Sequence, residues 1–456
     1  MNIVKIADNI FRAYDIRGTY PDFIDESIAE RMGMAWGTLL GGSKIVCVGF
    51  DTRTTTGRIV DSFINGVLST GCSVINVGMT PNPLTYFYAW FHKLDAGVYI
   101  TASHNPPNYT GFKFFNGDGF SYVDELEALK NFFVKGGFIK GRKGSVTMDD
   151  SVYNDYLGFW KERITLKRRV RIVADSFYAS ASLIAPRFFE EFGIECACLK
   201  NEIKGDFGGV KPEPTEETIA DVSKKVVGMH ADFGVGFDGD CDRSMFVDDN
   251  GVAWLGGTII AVFSDSIVKK GDVVVASLDC PSEVSRVVES RGGRVVFSRV
   301  GHGYIEQNIH KFGAVFGGEN SSHFTPAQYY IFSDGIASVL LMAKILSEGK
   351  ESLSEIIRRI RVYPSEKLYI NVKNHDVKDK AVKNIIVRLK EMYPDKKINA
   401  SDGIKVFLNN VEWVLVRGSN TVPAVSLGFE ARNAERAKEL RDKFSKLIDD
   451  EVKKVS

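Results

Sequence analysis

Three stretches of this chain repeat one arrangement, and that repetition constrains the fold more than any other feature. Ile45-Val46-Cys47-Val48-Gly49-Phe50-Asp51, Val170-Arg171-Ile172-Val173-Ala174-Asp175 and Val273-Val274-Val275-Ala276-Ser277-Leu278-Asp279 are near-continuous apolar runs that close on an aspartate. Such runs suit strands buried on both faces of a parallel sheet. Each is followed by a helix-like stretch and a second strand, at 74–77, 195–199 and 294–297. A third strand follows in each unit, at 97–100, 233–237 and 314–316, and its exit loop is rich in chemistry. Open α/β sheets bind ligands at the carboxyl ends of their strands. Three units with polar loops at equivalent strand ends predict one shared cleft.

From about residue 365 the pattern changes. Residues 368–372 read as a strand, 379–392 as a helix, 404–408 and 411–416 as a hairpin around Asn409-Asn410, and 434–452 as a charged helix. The fold class predicted is α/β, with three related α/β domains and a C-terminal α+β domain around a central cleft. The expected segments are 1–148, 149–252, 253–365 and 366–456. Several domains also follow from the 456 residues, because domains usually hold ~100–200.

Lys+Arg and Asp+Glu both number 58, so the basic surplus of a dedicated nucleic-acid binder is missing. The N-terminus lacks the pattern of a secretion signal, and no apolar run reaches the ~18 residues of a membrane span. A cytoplasmic protein with neither nucleic-acid nor membrane partners is expected. The six cysteines read as reduced, since Cys196 and Cys198 have no second pair or nearby His to complete a zinc pattern.

Four loops carry the chemistry. Asp238, Asp240 and Asp242 alternate in Asp238-Gly239-Asp240-Cys241-Asp242-Arg243. Three carboxylates so close call for a counter-cation, and all-oxygen ligation suits Mg²⁺ or Ca²⁺. An EF-hand would need Gly where Arg243 stands and Glu where Asp249 stands. Ser103 lies in Thr101-Ala102-Ser103-His104-Asn105-Pro106-Pro107, just after a strand. The loop lacks the G-x-S-x-G elbow of a triad hydrolase, and its prolines suit holding one hydroxyl rigidly. Gly317-Gly318-Glu319-Asn320-Ser321-Ser322-His323 offers donors and acceptors of the kind that bind sugar hydroxyls. Arg417-Gly418-Ser419-Asn420-Thr421 combines an arginine fork, hydroxyls and an amide into a phosphate cradle. Taken singly, the serine and sugar-type loops are weak signals and the arginine loop is equally an ordinary hairpin exit, whereas three carboxylates followed directly by Arg243 are more specific than a solvated acidic turn.

Together, in this order and across nearly the whole chain, the motifs resemble the α-D-phosphohexomutase superfamily, specifically its phosphomannomutase/phosphoglucomutase branch. Phe11-Arg12-Ala13-Tyr14-Asp15-Ile16-Arg17-Gly18 looks like that branch's N-terminal signature. The resemblance implies an isomerase that interconverts hexose 1-phosphate and hexose 6-phosphate through a phosphoserine and a hexose 1,6-bisphosphate. It implies that Ser103 carries the phosphate and, with Asp238, Asp240 and Asp242, ligates Mg²⁺. Arg17, His104 and Lys113 would surround the transferring group, with His104 and Lys113 both open as the proton-transfer residue. Tyr14, Arg243, His302, Glu319 and Ser321 would contact substrate, while Arg417, Ser419, Asn420 and Thr421 hold the phosphate that is not reacting. Three positions depart from the pattern: Ser322 and Cys241 stand where glycine is common, and Gly418 replaces a small residue.

The implied partners are small-molecule hexose phosphates, on mannose and/or glucose. Glucosamine phosphate is the alternative within the family. A metal-dependent phosphatase and a non-catalytic sugar-phosphate sensor are the alternatives outside it. The sequence does not set the oligomeric state.

Overall fold

The structure is a computed structural model and describes residues 2–12, 15–419 and 423–455. Four sheets follow one another along the chain. The first holds β1 (Ile16–Thr19), β2 (Ile45–Phe50), β3 (Ser73–Met79), β4 (Ala96–Ile100), β5 (Tyr109–Asn116) and β6 (Val146–Met148), in the order β1-β5-β4-β2-β3-β6. The second holds β7 (Val170–Asp175), β8 (Ile194–Leu199), β9 (Phe233–Phe237), β10 (Ser244–Val247) and β11 (Ala253–Trp254), in the order β11-β10-β9-β7-β8. The third holds β12 (Val273–Ser277), β13 (Arg294–Ser298), β14 (Phe316–Gly318) and β15 (Phe324–Thr325), in the order β13-β12-β14-β15.

A common unit recurs in these three sheets. The aspartate-terminated strand is central and pairs in parallel with the two strands after it: β2 with β3 and β4, β7 with β8 and β9, β12 with β13 and β14. The third strand of each unit then pairs antiparallel with its successor, β5, β10 or β15. The Ser103, Asp238 and Glu319 loops are those third-to-fourth strand connections. In the third unit the strand runs later than expected, over Phe316–Gly318 in place of 314–316. Gly317 and Gly318 belong to the ladder, opposite Val275 and Ala276, and a Cβ on Gly317 would stand 2.5 Å from Ile309 of the helix packed on it, so the packing asks for glycine there.

The fourth sheet is antiparallel throughout, with β16 (Ser365–Asn371), β17 (Lys397–Asn399), β18 (Ile404–Phe407), β19 (Trp413–Gly418) and β20 (Ala424–Glu430) in the order β16-β20-β19-β18-β17. Val414, Val416, Val425, Leu427 and Phe429 pack on its own helices, His375–Met392 and Ala434–Val455. The opposite face turns toward the third domain, where Trp413 and Leu415 meet Leu278. The fold is therefore three related α/β domains and an α+β domain, and no described helix is long and apolar enough to cross a membrane.

Candidate functional site

Ser103 sits in a strained turn. Its φ of +50° lies in the left-handed region, which costs a residue with a Cβ about 1–2 kcal/mol and persists only where surroundings enforce it. The enforcement is visible. Thr101 Oγ1 accepts from the Ser103 N–H (2.8 Å) and donates to Asp51 at the end of β2 (2.7 Å). Arg53, fully buried, spends four of its five N–H groups on this loop and the fifth on Asp51. It donates to the carbonyls of Ser103 (2.6 Å), Asn105 (2.7 Å), Pro106 and Tyr109 (3.2 Å), and to the Asp51 carboxylate (2.9 Å). Asp51 was visible in the sequence only as the end of an apolar run, and Arg53 was missed altogether.

The Asp238 loop comes up against this turn. A Cβ on Gly239 would lie 2.4 Å from the Ser103 carbonyl oxygen, so only glycine permits the approach. Ser103 Oγ donates to Asp238 Oδ2 at 2.9 Å. Oxygens of Asp238, Asp240 and Asp242 lie within 4.8 Å of one another, all buried. Lys113 Nζ bridges Asp240 and Asp242 at 2.6 Å each, and Arg243 Nε holds Asp238 at 2.9 Å. Asp240 Oδ1 is buried and finds no hydrogen-bond donor among the described residues. An orphaned oxygen within a buried, all-carboxylate triad fits a hard cation, so the triad is able to hold a metal ion.

Charge is sorted sharply here. Burial, helped by Asp240 and Asp242 and only partly offset by Arg243, pushes the Asp238 carboxyl up. Asp242 is also penalised by burial, yet Lys113 and His323 hold it well below the usual carboxylate range. Burial would lower Lys113, but Asp240 and Asp242 outweigh it and keep the ammonium charged. His104 is held well below an ordinary histidine by desolvation and by Arg243 and Arg17. Its Nδ1 lies 3.2 Å from Ser103 Oγ and meets Arg243 Nη2. Burial and neighbouring charge thus push the two proton-transfer candidates in opposite directions, Lys113 toward its charged form and His104 toward its neutral form.

The third loop adds Glu319 and His323. Glu319 accepts from the Gly301 N–H (2.6 Å) and pairs with His323 Nδ1 (3.0 Å), whose Nε2 is 3.4 Å from Asp242. Burial opposes the His323 charge, but Asp242 and Glu319 raise it to about 9. His302, beside it, is pushed down to about 4 by burial and Lys113. His323 closes the sugar-type loop on the acidic triad, a role its place at the end of that motif did not reveal. Cys241 and Ser322 have φ +69° and +70°, which explains why glycine is the common choice at both.

Arg417, at the end of β19, is buried and pairs with Asp402 at 2.9 Å. A Cβ on Gly403 would fall 2.7 Å from the Arg417 Cα, so this glycine admits the arginine. Arg417 Nη2 is buried without a hydrogen-bond partner among the described residues.

Ten residues expected from the sequence line one cleft of about 200 Å³: Arg17, Ser103, His104, Lys113, Arg243, His302, Glu319, Ser321, Arg417 and Ser419. Arg17 is fixed there by Asp15 (2.6 Å) and Asn105 Oδ1 (2.7 Å). Tyr14, Asn420 and Thr421 lie outside the described residues. Val300, Lys367 and Tyr369 line the same cleft and were not expected; nothing in their sequence context distinguishes them from ordinary strand and loop residues.

Residues 8–137, 152–251, 256–363 and 370–447 match phosphoglucomutase/phosphomannomutase alpha/beta/alpha domains I, II and III and the C-terminal domain. The chain is 33% identical over 444 residues to a probable phosphoglucosamine mutase of Methanopyrus kandleri, covering 96% of this chain and 97% of that protein. It is 30% identical over 459 residues to the phosphomannomutase/phosphoglucomutase of Pseudomonas syringae, covering 99% and 96%. A phosphoglucomutase/phosphomannomutase family protein from Burkholderia thailandensis superposes with TM-score 0.87 at 28% identity, over 97% of each chain. An Aspergillus fumigatus N-acetylphosphoglucosamine mutase solved with GlcNAc-6P and magnesium shares the fold, with TM-score 0.63 at 13% identity. With four domains matched in order along one chain, this protein belongs to the phosphoglucomutase/phosphomannomutase family of phosphohexomutases, isomerases that transfer phosphate within a substrate.

Proposed function

We propose that this chain interconverts hexose 1-phosphate and hexose 6-phosphate, on mannose and/or glucose, through a phosphorylated Ser103 and a hexose 1,6-bisphosphate. The observation that carries the reading is a pair of unsatisfied features at one cleft. At one end the Ser103 hydroxyl meets a buried carboxylate triad with an orphaned oxygen; at the other, Arg417 pairs with Asp402 through Nε but its buried Nη2 lacks an acceptor among the described residues. A cation answers the first and a substrate phosphate the second. Residues 1–148, 149–252 and 253–365 would supply the phosphoserine, metal and sugar loops, and 366–456 the phosphate clamp.

A Mg²⁺ ion held by Asp238, Asp240, Asp242 and an oxygen of the phosphorylated Ser103 would supply positive charge against the transferring group. Arg17 adds charge from the protein side, and the Arg53 network keeps the serine oxygen in one place for in-line transfer. A substrate hydroxyl attacks phosphorus, the bond from phosphorus to the Ser103 oxygen breaks, and His104, whose Nδ1 lies 3.2 Å from Ser103 Oγ, takes the hydroxyl proton and returns a proton to the departing serine oxygen. Lys113, held as a cation, stabilises the negative charge that builds up. Returning the other phosphate requires the bisphosphate to turn over, so Arg417 and Ser419 must read phosphate alone. Glu319, His302 and Ser321 then read the sugar hydroxyls.

Side-by-side assays with mannose, glucose and glucosamine 1-phosphates, with Mg²⁺ and catalytic hexose bisphosphate present, test the proposal. Isomer formation is expected with mannose and/or glucose substrates; phosphate release exceeding isomer formation refutes it in favour of a phosphatase. The phosphoglucosamine mutase reading is favoured by one specific finding, the name carried by the Methanopyrus relative. Faster conversion of glucosamine 1-phosphate than of the other two supports that reading.

A further inference from the structure

The outer face of the C-terminal sheet carries a second cation that the phosphate loop motif does not include. In the ladder, Tyr369 stands opposite Ser426, which stands opposite Arg417; one pair along, Lys367 stands opposite Gly428, which stands opposite Leu415. Residues opposite one another in neighbouring strands share a face. The middle strand, β20, therefore contributes only a hydroxymethyl group and a hydrogen between two strands of larger side chains. The result is a trough about 10 Å across from β16 to β19, with Lys367 on one bank and Arg417 on the other. A phosphate reaching hydrogen-bond donors on both sides spans such a width.

Two cavities meet at this trough. The substrate cleft of about 200 Å³ and a neighbouring cavity of about 320 Å³ between the third and fourth domains share Lys367 and Arg417 in their linings. The two cations thus form the partition at the clamp end of the cleft. Buried Asp279, the aspartate that ends the third repeated run, accepts from Lys367 Nζ at 3.2 Å and from Ser277 Oγ at 2.6 Å. This ion pair crosses between domains and uses one of the three ammonium donors. The Lys367 side chain is 36% exposed, and no other hydrogen-bond partner meets it among the described residues.

We infer that Lys367 is a second cationic contact for the substrate phosphate held by Arg417, with Asp279 fixing its position. This rests on the mutase reading for the identity of the ligand. The competing role is structural: Lys367 merely fastens the C-terminal domain to the third domain through Asp279.

Calorimetric titration of the intact protein with mannose 1-phosphate and mannose 6-phosphate separates the two roles, using Lys367→Met, Lys367→Arg and Asp279→Asn beside wild type. Lys367→Met should weaken both ligands about tenfold and to a similar degree, because a phosphate contact does not read the hydroxyls. Lys367→Arg should restore most of the affinity, and Asp279→Asn should bind as tightly as wild type or tighter, because the amide oxygen still accepts from Lys367 Nζ while the carboxylate charge that repels a phosphate is gone. Phosphoserine content at Ser103 should be unaltered in Lys367→Met. Unchanged affinity in Lys367→Met overturns the proposal. So does equal weakening in Lys367→Met and Asp279→Asn with matching losses of Tm, the signature of a fastener. Wild type that binds both phosphates but converts neither refutes turnover alone, and the Lys367→Met comparison still stands.

Discussion

Ser103 is a hydroxyl held in an uncomfortable conformation by a guanidinium that touches no solvent. Arg53 gives its donors to four carbonyls of the same loop and to Asp51, so it acts on position and not on chemistry. Two predictions belong at this scale. Ser103→Ala should abolish most turnover while leaving Tm near wild type, because the side chain lost is small and the loop's bonds are made by backbone. Intact mass of active wild type should show one phosphate on the peptide holding Ser103; full activity in the alanine variant rules the mechanism out. Arg53→Lys should lower kcat far more than it raises KM. Lysine offers three donors in place of a planar five, which leaves carbonyls unsatisfied in a buried loop at about 1–3 kcal/mol each. A Tm drop with unchanged kcat would show that Arg53 holds the domain but not the nucleophile. The sequence disclosed Ser103 because its neighbours form a motif. Arg53 was not legible because its partners are carbonyls, which every residue type carries.

At the scale of elements, the repeated strand pattern made the three parallel units legible, since a strand buried on both faces must be apolar along its length. The repeat also located the loops, because a β-strand's carboxyl end is defined by where its apolar run stops. It misplaced the start of β14, where Gly317 and Gly318 look like a turn but pair with Val275 and Ala276. Glycine there answers to the packing of Ile309, a contact that no local pattern records. Pocket residues Lys367 and Tyr369 were equally invisible, because their significance comes from register with β20 and β19. The metal loop gives the prediction at this scale. Asp238 and Asp240 sit on one turn, and their repulsion is met in part by Arg243 and Lys113. Chelation should stop turnover and Mg²⁺ should restore it. Asp240→Asn should weaken Mg²⁺ activation by at least about tenfold, consistent with loss of one charged ligand, without unfolding the chain. Activity that survives thorough chelation would exclude a metal role for the triad.

Across the whole molecule, the site exists only where four domains meet, so their joints are part of the chemistry. One joint is Glu306, whose buried carboxylate accepts from Ser121 N (2.7 Å) and Oγ (3.2 Å), linking the third domain to the first. Burial pushes this carboxyl up to about 8, against the lowering effect of the Ser121 bonds. The folded protein therefore keeps a proton that the unfolded chain releases near the ordinary carboxylate value of about 4.3. The stability contributed is full below that value and is lost as pH rises through about 8. Glu306→Gln should flatten Tm against pH in that window and gain on wild type by pH 8, by an amount on the order of a few kcal/mol; parallel Tm curves would refute it. The far joint is the clamp. Arg417 lies in a different domain from Ser103, yet both line one cleft. Arg417→Ala removes a charge-assisted contact worth roughly 1.5–3 kcal/mol, so affinity for hexose phosphate should fall about tenfold to over a hundredfold. The 1-phosphate and the 6-phosphate should lose equally, because each must present its resting phosphate to the same guanidinium. Phosphorylation of Ser103 by a small phosphate donor should hardly change, since that reagent never reaches β19. Scattering should show less compaction on substrate binding, because the ligand no longer ties the C-terminal domain to the other three. Wild-type binding and turnover of both isomers by Arg417→Ala would mean that the fourth domain reads something other than phosphate.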